Sequence, residues 1–387
     1  MSSLSQEKYR FSWRKGNAFR LLIDGKVYLR AMLEAIKNAH SYIFLEMYLW
    51  ESGVVSDRFI AAFTAAAGRG VKVHLLLDDY GCYGLQKRDC LRLQEAGVAI
   101  VRYNPIRFHR LRRNLFRNHR KLLLVDGEVA FTGGTGLTDM FDPEVHPTSH
   151  WHEAMLELRG PVVWDWQRLF CETWEHWAGG PLYYPAVAAG PLPGTASGRL
   201  TTQGRAHARS EIMRSFITHI RNARYEIWMS TAYFVPPWKL RRALRRAAQR
   251  GVDVRLLLPG PRSDHPAVRY IGRRFYERLL RDGVRIFEYQ PRFLHAKLLL
   301  CDQWVSIGSS NLDRWNYRWN LEANQETRGA KIVPEVRELF LSDMSLCREI
   351  EYASWQTRSR YRRLLEWFWS RVLSVIARVT DGRSGEP

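Results

Sequence analysis

The 387-residue chain is short of cysteine, short of lysine and without any long apolar run. Its cysteines, Cys82, Cys90, Cys171, Cys301 and Cys347, are odd in number, form no C-x-x-C pair and fall mostly in apolar stretches. That pattern excludes a disulfide framework and a zinc site, and predicts reduced core thiols. Only ten of the 59 basic residues are lysine, so a position that keeps lysine carries information. The N-terminus, MSSLSQEKYRFSWRKGNAFR, has no apolar h-region, and no signal peptide is expected. No apolar run approaches the roughly 18 to 20 residues of a spanning helix, so membrane contact is expected from one side only, with the protein facing the cytoplasm. Neither H-E-x-x-H nor an Asp-rich cluster occurs, so neither metal nor cofactor is expected. Acidic residues are outnumbered: 39 Asp+Glu leave a formal charge of +20, which attracts polyanions such as nucleic acid or anionic lipid without choosing between them.

What the chain does contain is itself, twice. LRAMLEAIKNAHSYIFLEMYLW followed by GRGVKVHLLL, within residues 29–77, is repeated as IMRSFITHIRNARYEIWMSTAYFV followed by QRGVDVRLLL within 212–258. EAGVAIVRYNP (95–105) is repeated as RDGVRIFEYQP (281–291), and NHRKLLLVDGEVAFTGG as LHAKLLLCDQWVSIGSS. Short Val/Ile/Leu runs alternating with amphipathic helices predict an α/β fold with mixed, mostly parallel sheets flanked by helices. Two lobes are expected, residues 1–180 and 210–350. Residues 181–209, rich in Gly, Pro, Ala and Ser and without either period, are expected to link them or to form a lid. Ser210 is the expected N-cap of the helix opening the second lobe.

Both halves carry H-x-K-x4-D: His119, Lys121 and Asp126, then Gly133-Gly134; and His295, Lys297 and Asp302, then Gly308-Ser309-Ser310-Asn311. From the composition one such match arises by accident in roughly one chain in a hundred, and two at corresponding places in roughly one in ten thousand. Residues at i and i+2 of a strand share a face, so each lobe presents an imidazole beside an ammonium. If the lobes pack with pseudo-twofold symmetry, two His and two Lys meet. One imidazole can attack phosphorus, a second, held protonated by nearby charge, can protonate the leaving oxygen, and the lysines can hold the equatorial oxygens. The class this implies is transfer of a phosphodiester through phosphohistidine.

The doubled motif resembles the HKD signature of the phospholipase D superfamily, over nearly the whole span from about residue 20 to 350. The resemblance implies a duplicated phospholipase D fold with the site between its lobes. It also implies His119 as nucleophile, His295 as general acid, Asp126 and Asp302 in support of the fold, and Glu153 (HWHEAMLELRGP) and Glu322 (RWNLEANQE) as carboxylates orienting the imidazoles. Gly134, Ser309 and Asn311 occupy the phosphate-binding places. The first lobe departs from the family's G-S-x-N: Gly136 stands where Asn is usual, with Thr135 and Thr138 as candidate substitutes.

The motif does not name the substrate; lipids, DNA and RNA all suit it. Residues 106–120, IRFHRLRRNLFRNHR, interleave arginines with Phe108, Leu111, Leu115 and Phe116, which fits anionic headgroups, a nucleic-acid backbone, or a solvated loop. Within residues 351–387, Leu364, Leu365, Phe368, Val372, Val375, Ile376 and Val379 follow helical spacing, with Trp355, Trp367 and Trp369 at the start. This predicts a basic amphipathic helix, either interfacial or packed on the core. The neighbourhoods of both motifs are similar to short-type bacterial cardiolipin synthases, the family in which Gly-Gly after the first motif is familiar. The resemblance implies phosphatidyl transfer to phosphatidylglycerol, giving cardiolipin, at the cytoplasmic side of the bacterial inner membrane. The partners are then anionic phospholipids and the membrane surface; a phospholipase-type hydrolase or a nuclease is the alternative, with nucleic acid disfavoured because small nucleases of this type usually carry one motif per chain. Oligomeric state is left open.

Overall fold

The computed structural model describes residues 9–107, 109, 112–182, 184, 191–204, 210–359 and 368–369. The repeats fold into equivalent halves of one 16-stranded sheet. From the centre outward the N-terminal half runs Arg14–Ile23, Ala154–Arg159, Val129–Gly133, Leu122–Val125, Tyr42–Met47, Lys72–Asp78 and Ala99–Tyr103. The C-terminal half runs Ala196–Gln203, Asn320–Arg328, Trp304–Gly308, Leu298–Cys301, Glu226–Ser230, Asp253–Pro259 and Arg285–Tyr289, with Cys347–Glu349 at its edge. The two innermost strands pair antiparallel, Arg14 opposite Gly198 and Asn17 opposite Ala196, and fuse the halves.

Two expectations are corrected here. The sheet is mixed, but apart from the short strand Arg117–Asn118, which pairs in parallel with Asn320–Arg328, parallel pairing is confined to the outer three repeat strands of each half; the other inner pairs are antiparallel. The VDG and CDQ turns join hairpins, and hairpins can only be antiparallel. Residues 181–209 do more than link: Ala196–Gln203 is a buried strand hydrogen-bonded along seven positions to Asn320–Arg328. Its sequence, ASGRLTTQ, lacks the Val/Ile/Leu run of the other strands because its neighbours supply the apolar cover.

Helices cover both faces. Val162–Ala178 and Ile332–Ser345 pack against the sheet in one continuous core that runs through both lobes and includes Leu156, Trp166, Leu298, Ile307 and Phe340. On the other face each lobe closes its own core, around Phe59 and Phe63 in the first and around Ile212 and Leu244 in the second. Ser210 caps Glu211–Asn222 by accepting from Met213 N at 3.2 Å. The predicted amphipathic helix near the C-terminus lies outside the described residues except for Phe368 and Trp369. Trp355, expected among its anchors, is buried against Tyr276 with ring centroids 5.0 Å apart.

Candidate active site

Each motif histidine stands in an extended segment just before a hairpin strand, and each segment crosses to the other lobe. Arg117–Asn118 pairs in parallel with Asn320 and Leu321, and His119 N donates to Leu321 O at 3.0 Å. In the mirror arrangement His152 bridges to Leu294, and His295 N donates to His152 O at 2.8 Å. Each histidine therefore hangs from the residue preceding the opposite lobe's glutamate. The side chains follow: His119 Nδ1 lies 2.9 Å from Glu322 Oε1, and His295 Nδ1 lies 2.6 Å from Glu153 Oε2. A carboxylate beside Nδ1 leaves Nε2 as the ring nitrogen for chemistry, with Lys297 Nζ 3.2 Å from Nε2 of His295.

The ammonium groups complete the cluster. Lys121 Nζ donates to His119 O at 2.7 Å; Lys297 Nζ donates to His295 O and sits 3.5 Å from Glu153 Oε2. Both lobes meet here, since Lys121 and His119 each lower the proton affinity of His295, and Lys297 that of His119. All six groups are buried, with His119 and His295 only 8% and 6% exposed and Glu153 and Glu322 at 0%.

Burial dominates the electrostatics. Desolvation pushes His119 down and His295 well below the usual imidazole value, the latter with Lys297 and Lys121 adding to the fall. Desolvation brings Lys121 down to about 7, Lys297 also down, and Glu153 up to about 7. The expectation that nearby charge holds one imidazole protonated is thus reversed: burial is the largest cause, the ammonium groups add to it, and for His119 the neighbouring Glu322 carboxylate opposes it without overcoming it. A phosphodiester anion bound there would add the negative charge that favours imidazolium.

The remaining motif residues separate into two groups. Asp126 and Asp302 stand at the far end of the hairpins with φ of 53° and 50°. Asp126 accepts from the backbone N–H groups of His40, Ser41 and Tyr42 at 2.8–2.9 Å, and Asp302 from Arg224, Tyr225 and Glu226 at 2.9–3.0 Å. Neither joins the cluster; each anchors the start of its lobe's first repeat strand. Gly134 and Ser309 do join it. A Cβ on Gly134 would lie 2.1 Å from Glu153 Oε2 and 2.8 Å from Lys297 Nζ, so the first lobe has no room for serine there. Ser309 Oγ donates to Glu322. Asn311 is 1% exposed, and its Oδ1 has no hydrogen-bond partner. Gly136 is packed against Leu49, whose carbonyl oxygen a Cβ would approach to 2.8 Å, which excludes asparagine. Thr135 and Thr138 do not substitute: Thr135 donates to Gly136 O, and Thr138 donates to Glu51 while capping residues 139–141.

Several site residues gave no signal in the sequence. Asp78 accepts from Asn118 N at 2.8 Å and pairs with Arg117, while Glu46 accepts from Asn118 Nδ2 and lies 3.6 Å from Arg120. Arg117 and Arg120 are therefore buried scaffold, not part of a headgroup-gripping stretch, and Phe116 packs on Trp319 at 5.0 Å; Phe108 and Leu111 lie outside the described residues. Aromatic rings wall the pocket: Tyr48 meets His119 edge-on at 4.5 Å, and Trp151, Phe141, Phe293 and Tyr233 surround His295 at 5.0–6.5 Å. His152 bridges Asp24 (2.8 Å) and Asp343 (2.9 Å), and these carboxylates raise its pKa to about 9 against the desolvation that opposes them.

The comparisons with known proteins agree with this geometry. The family described as cardiolipin synthase, PLD-like domain, matches residues 32–161 and 216–344, one copy per lobe. Cardiolipin synthase B of Escherichia coli K12 is 36% identical over 323 residues, covering 81% of this chain and 77% of that protein. Cardiolipin synthase A of Pseudomonas fluorescens is 33% identical, covering 93% and 74%. Among solved structures, the phosphatidylserine synthase of Haemophilus influenzae shares the fold with a TM-score of 0.66 at 12% identity, covering 97% of this chain and 94% of its own. With one family copy in each lobe and a relative above one-third identity along four-fifths of its length, the chain belongs to the cardiolipin synthase family of the phospholipase D superfamily.

Proposed function

We propose that this chain is a phosphatidyltransferase that moves a phosphatidyl group from a donor phospholipid to phosphatidylglycerol and so makes cardiolipin. One observation carries the mechanism: two imidazoles from opposite lobes share one buried site, each with a glutamate of the other lobe beside its Nδ1. His119 Nε2 attacks the donor phosphorus. The bond to the headgroup oxygen breaks, its electron pair stays on that oxygen, and the oxygen takes a proton from His295 Nε2. The free headgroup alcohol leaves and phosphatidyl stays on His119. His295, now neutral, removes the proton from a hydroxyl of phosphatidylglycerol, that oxygen attacks phosphorus, and the P–N bond breaks to release cardiolipin. Lys121 and Lys297 hold the equatorial oxygens as charge builds, an electrostatic stabilisation that weighs heavily in a water-poor site. The aromatic wall around His295 keeps water from competing with the acceptor hydroxyl.

The phosphodiester of both substrates lies at a membrane surface, and the five unpaired thiols suit a reducing compartment. The proposal accordingly includes peripheral binding to the cytoplasmic side of the bacterial inner membrane; among the described residues no helix is long and apolar enough to cross. The test incubates purified chain with labelled phosphatidylglycerol and, separately, with single-stranded DNA. Labelled cardiolipin and a phosphatidyl group trapped on the protein are expected, with trapping abolished by His119→Ala and retained in slow form by His295→Ala when the donor has a good leaving group. Conversion of DNA alone, or trapping that survives only in His119→Ala, overturns the assignment.

A further inference from the structure

The paired histidines lie toward one end of the sheet. Tyr48, against His119, follows the strand Tyr42–Met47, and Tyr233, against His295, follows Glu226–Ser230, whereas Asp126 and Asp302 close the other ends of those strands. The site therefore lies at the carboxyl ends of the parallel strands. Loops and helix starts at this end form its rim. Tyr80 and Tyr83 follow the strand Lys72–Asp78 and are 60% and 87% exposed; Trp238 opens the helix Trp238–Gln249 and is 58% exposed. Tyr80 is close enough to Tyr48 to act on it electrostatically, and Tyr48 on Tyr233, which ties rim to pocket across both lobes.

Cations accompany these rings. Lys87 and Arg88 open the helix Lys87–Glu95, and Arg242 lies over the Trp238 ring at 4.9 Å. The first turn of Trp238–Gln249 holds Lys239 and Arg241 and no acidic residue. Helix starts favour carboxylates, so positive charge gathered there weakens the helix and points to an external anion. A two-chain phospholipid adds a further requirement. Lifting its acyl chains out of a bilayer becomes harder with every methylene, so a buried pocket must come to the headgroup.

Resting on the lipid-transfer reading above, we propose that this rim, with Tyr80, Tyr83 and Trp238 as aromatic anchors and Lys87, Arg88 and Arg242 as headgroup contacts, is the face that docks onto an anionic phospholipid bilayer. This end of the sheet is then pressed against the interface, and donor and acceptor enter in turn with their chains still in the membrane.

Vesicle flotation of the full chain tests this, using phosphatidylglycerol-containing and pure phosphatidylcholine vesicles, with turnover of a short-chain phosphatidylglycerol below its micellar concentration as the second readout. The double variant Tyr83→Ser/Trp238→Ser should bind anionic vesicles about tenfold or more weakly and show a correspondingly higher KM on them. Turnover of the monomeric lipid should stay at the wild-type rate. The triple variant Lys87→Glu/Arg88→Glu/Arg242→Glu should lose the preference for anionic vesicles. Tyr225 is 75% exposed at the opposite end of the sheet, so Tyr225→Ser should change neither readout. The proposal is overturned if rim variants bind as wild type does, if Tyr225→Ser weakens binding equally, or if the rim variants lose single-stranded DNA binding and keep vesicle binding. Rim-dependent vesicle binding by a wild-type chain that converts no lipid would leave the docking face standing and remove the transfer reading instead.

Discussion

The two halves share an order of strands but not the chemistry around their histidines. His119 has the Tyr48 ring against it and is preceded by Asn118, which a polar network of Asp78, Glu46 and two buried arginines holds in place. His295 is framed by Leu294, Phe293, Trp151 and Phe141. Ser309 follows the second motif where Gly134 follows the first, and His152 precedes one glutamate where Leu321 precedes the other. Duplication supplies two equivalent places, but two imidazoles in identical surroundings would titrate alike. A nucleophile and a proton donor need different proton affinities, so the surroundings have to diverge.

The largest effect expected from breaking this comparison lies in the crossed carboxylates. Glu322→Gln and Glu153→Gln each remove the charge behind one imidazole, and each should cut kcat by about 10²- to 10⁴-fold on the natural donor. They should separate on a donor with a good leaving group: Glu153→Gln, which weakens the proton donor, should recover much of its loss, and Glu322→Gln, which weakens the nucleophile, should not. Equal recovery in single-turnover experiments would mean that the halves are interchangeable in function.

The serine and glycine that follow the motifs give the next test. Gly134→Ser copies the second half into the first, but its Cβ has nowhere to go beside Glu153, and displacing that carboxylate should lower kcat by about 100-fold or more. Ser309→Gly copies the first half into the second and removes one hydroxyl that donates to Glu322, for an expected loss below about tenfold. Circular dichroism should show both variants folded; similar losses in the two would remove the steric account of Gly134.

These asymmetries mark where the sequence stops being legible. The duplication, the helix–strand order and the identities of His119, Lys121, His295 and Lys297 all come from strings that repeat, and repetition is visible in one sequence. The exchange of glutamates between lobes is not, because it depends on two extended segments crossing at a pairing that joins residues about 200 positions apart. Asp78 and Glu46 look like ordinary strand residues until Asn118 is placed against them. The strand Ala196–Gln203 hides because its burial is provided by its neighbours and its own residues are mostly small and polar. Gly136 looks like a lost asparagine until Leu49 is seen to occupy that space.

His152 offers a milder way to sharpen the comparison. Its folded pKa, about 9, exceeds the ordinary value of 6.5 because Asp24 and Asp343 hold the charged form, with Arg292 bonded to Asp24 and Tyr289 stacked on the ring. The stability this contributes is fully present below about 6.5 and is lost as pH rises through about 9, on the order of 3 kcal/mol in all. Thermal melts should therefore fall between those values. His152→Leu, the residue of the other half, should be less stable at pH 6 and should lack that slope. A wild-type melt that is flat from pH 6.5 to 9.5 would rule out a charged His152.

The gentlest expected effect is on the pH profile. On the proposed mechanism free enzyme needs Glu153 ionised, to hold the His295 ring, and Lys121 protonated, to receive the phosphate oxygens; burial brings both to about 7. The sign is opposite for the two groups: activity is lost on the acid side as Glu153 takes a proton and on the alkaline side as Lys121 gives one up. Their charges interact, so the two limbs belong to the pair. The profile of kcat/KM should be a narrow bell centred near neutrality, changing only a few-fold within about half a unit of the optimum and approaching tenfold per unit beyond. Phosphate bound between the lysines favours the ammonium form, so kcat at saturation should keep its alkaline activity to higher pH than kcat/KM. Lys121→Arg keeps its charge at any accessible pH and should remove the alkaline limb of kcat/KM while leaving the acid limb in place. An alkaline limb that stays near neutrality in that variant would assign it to another group and take Lys121 out of phosphate binding.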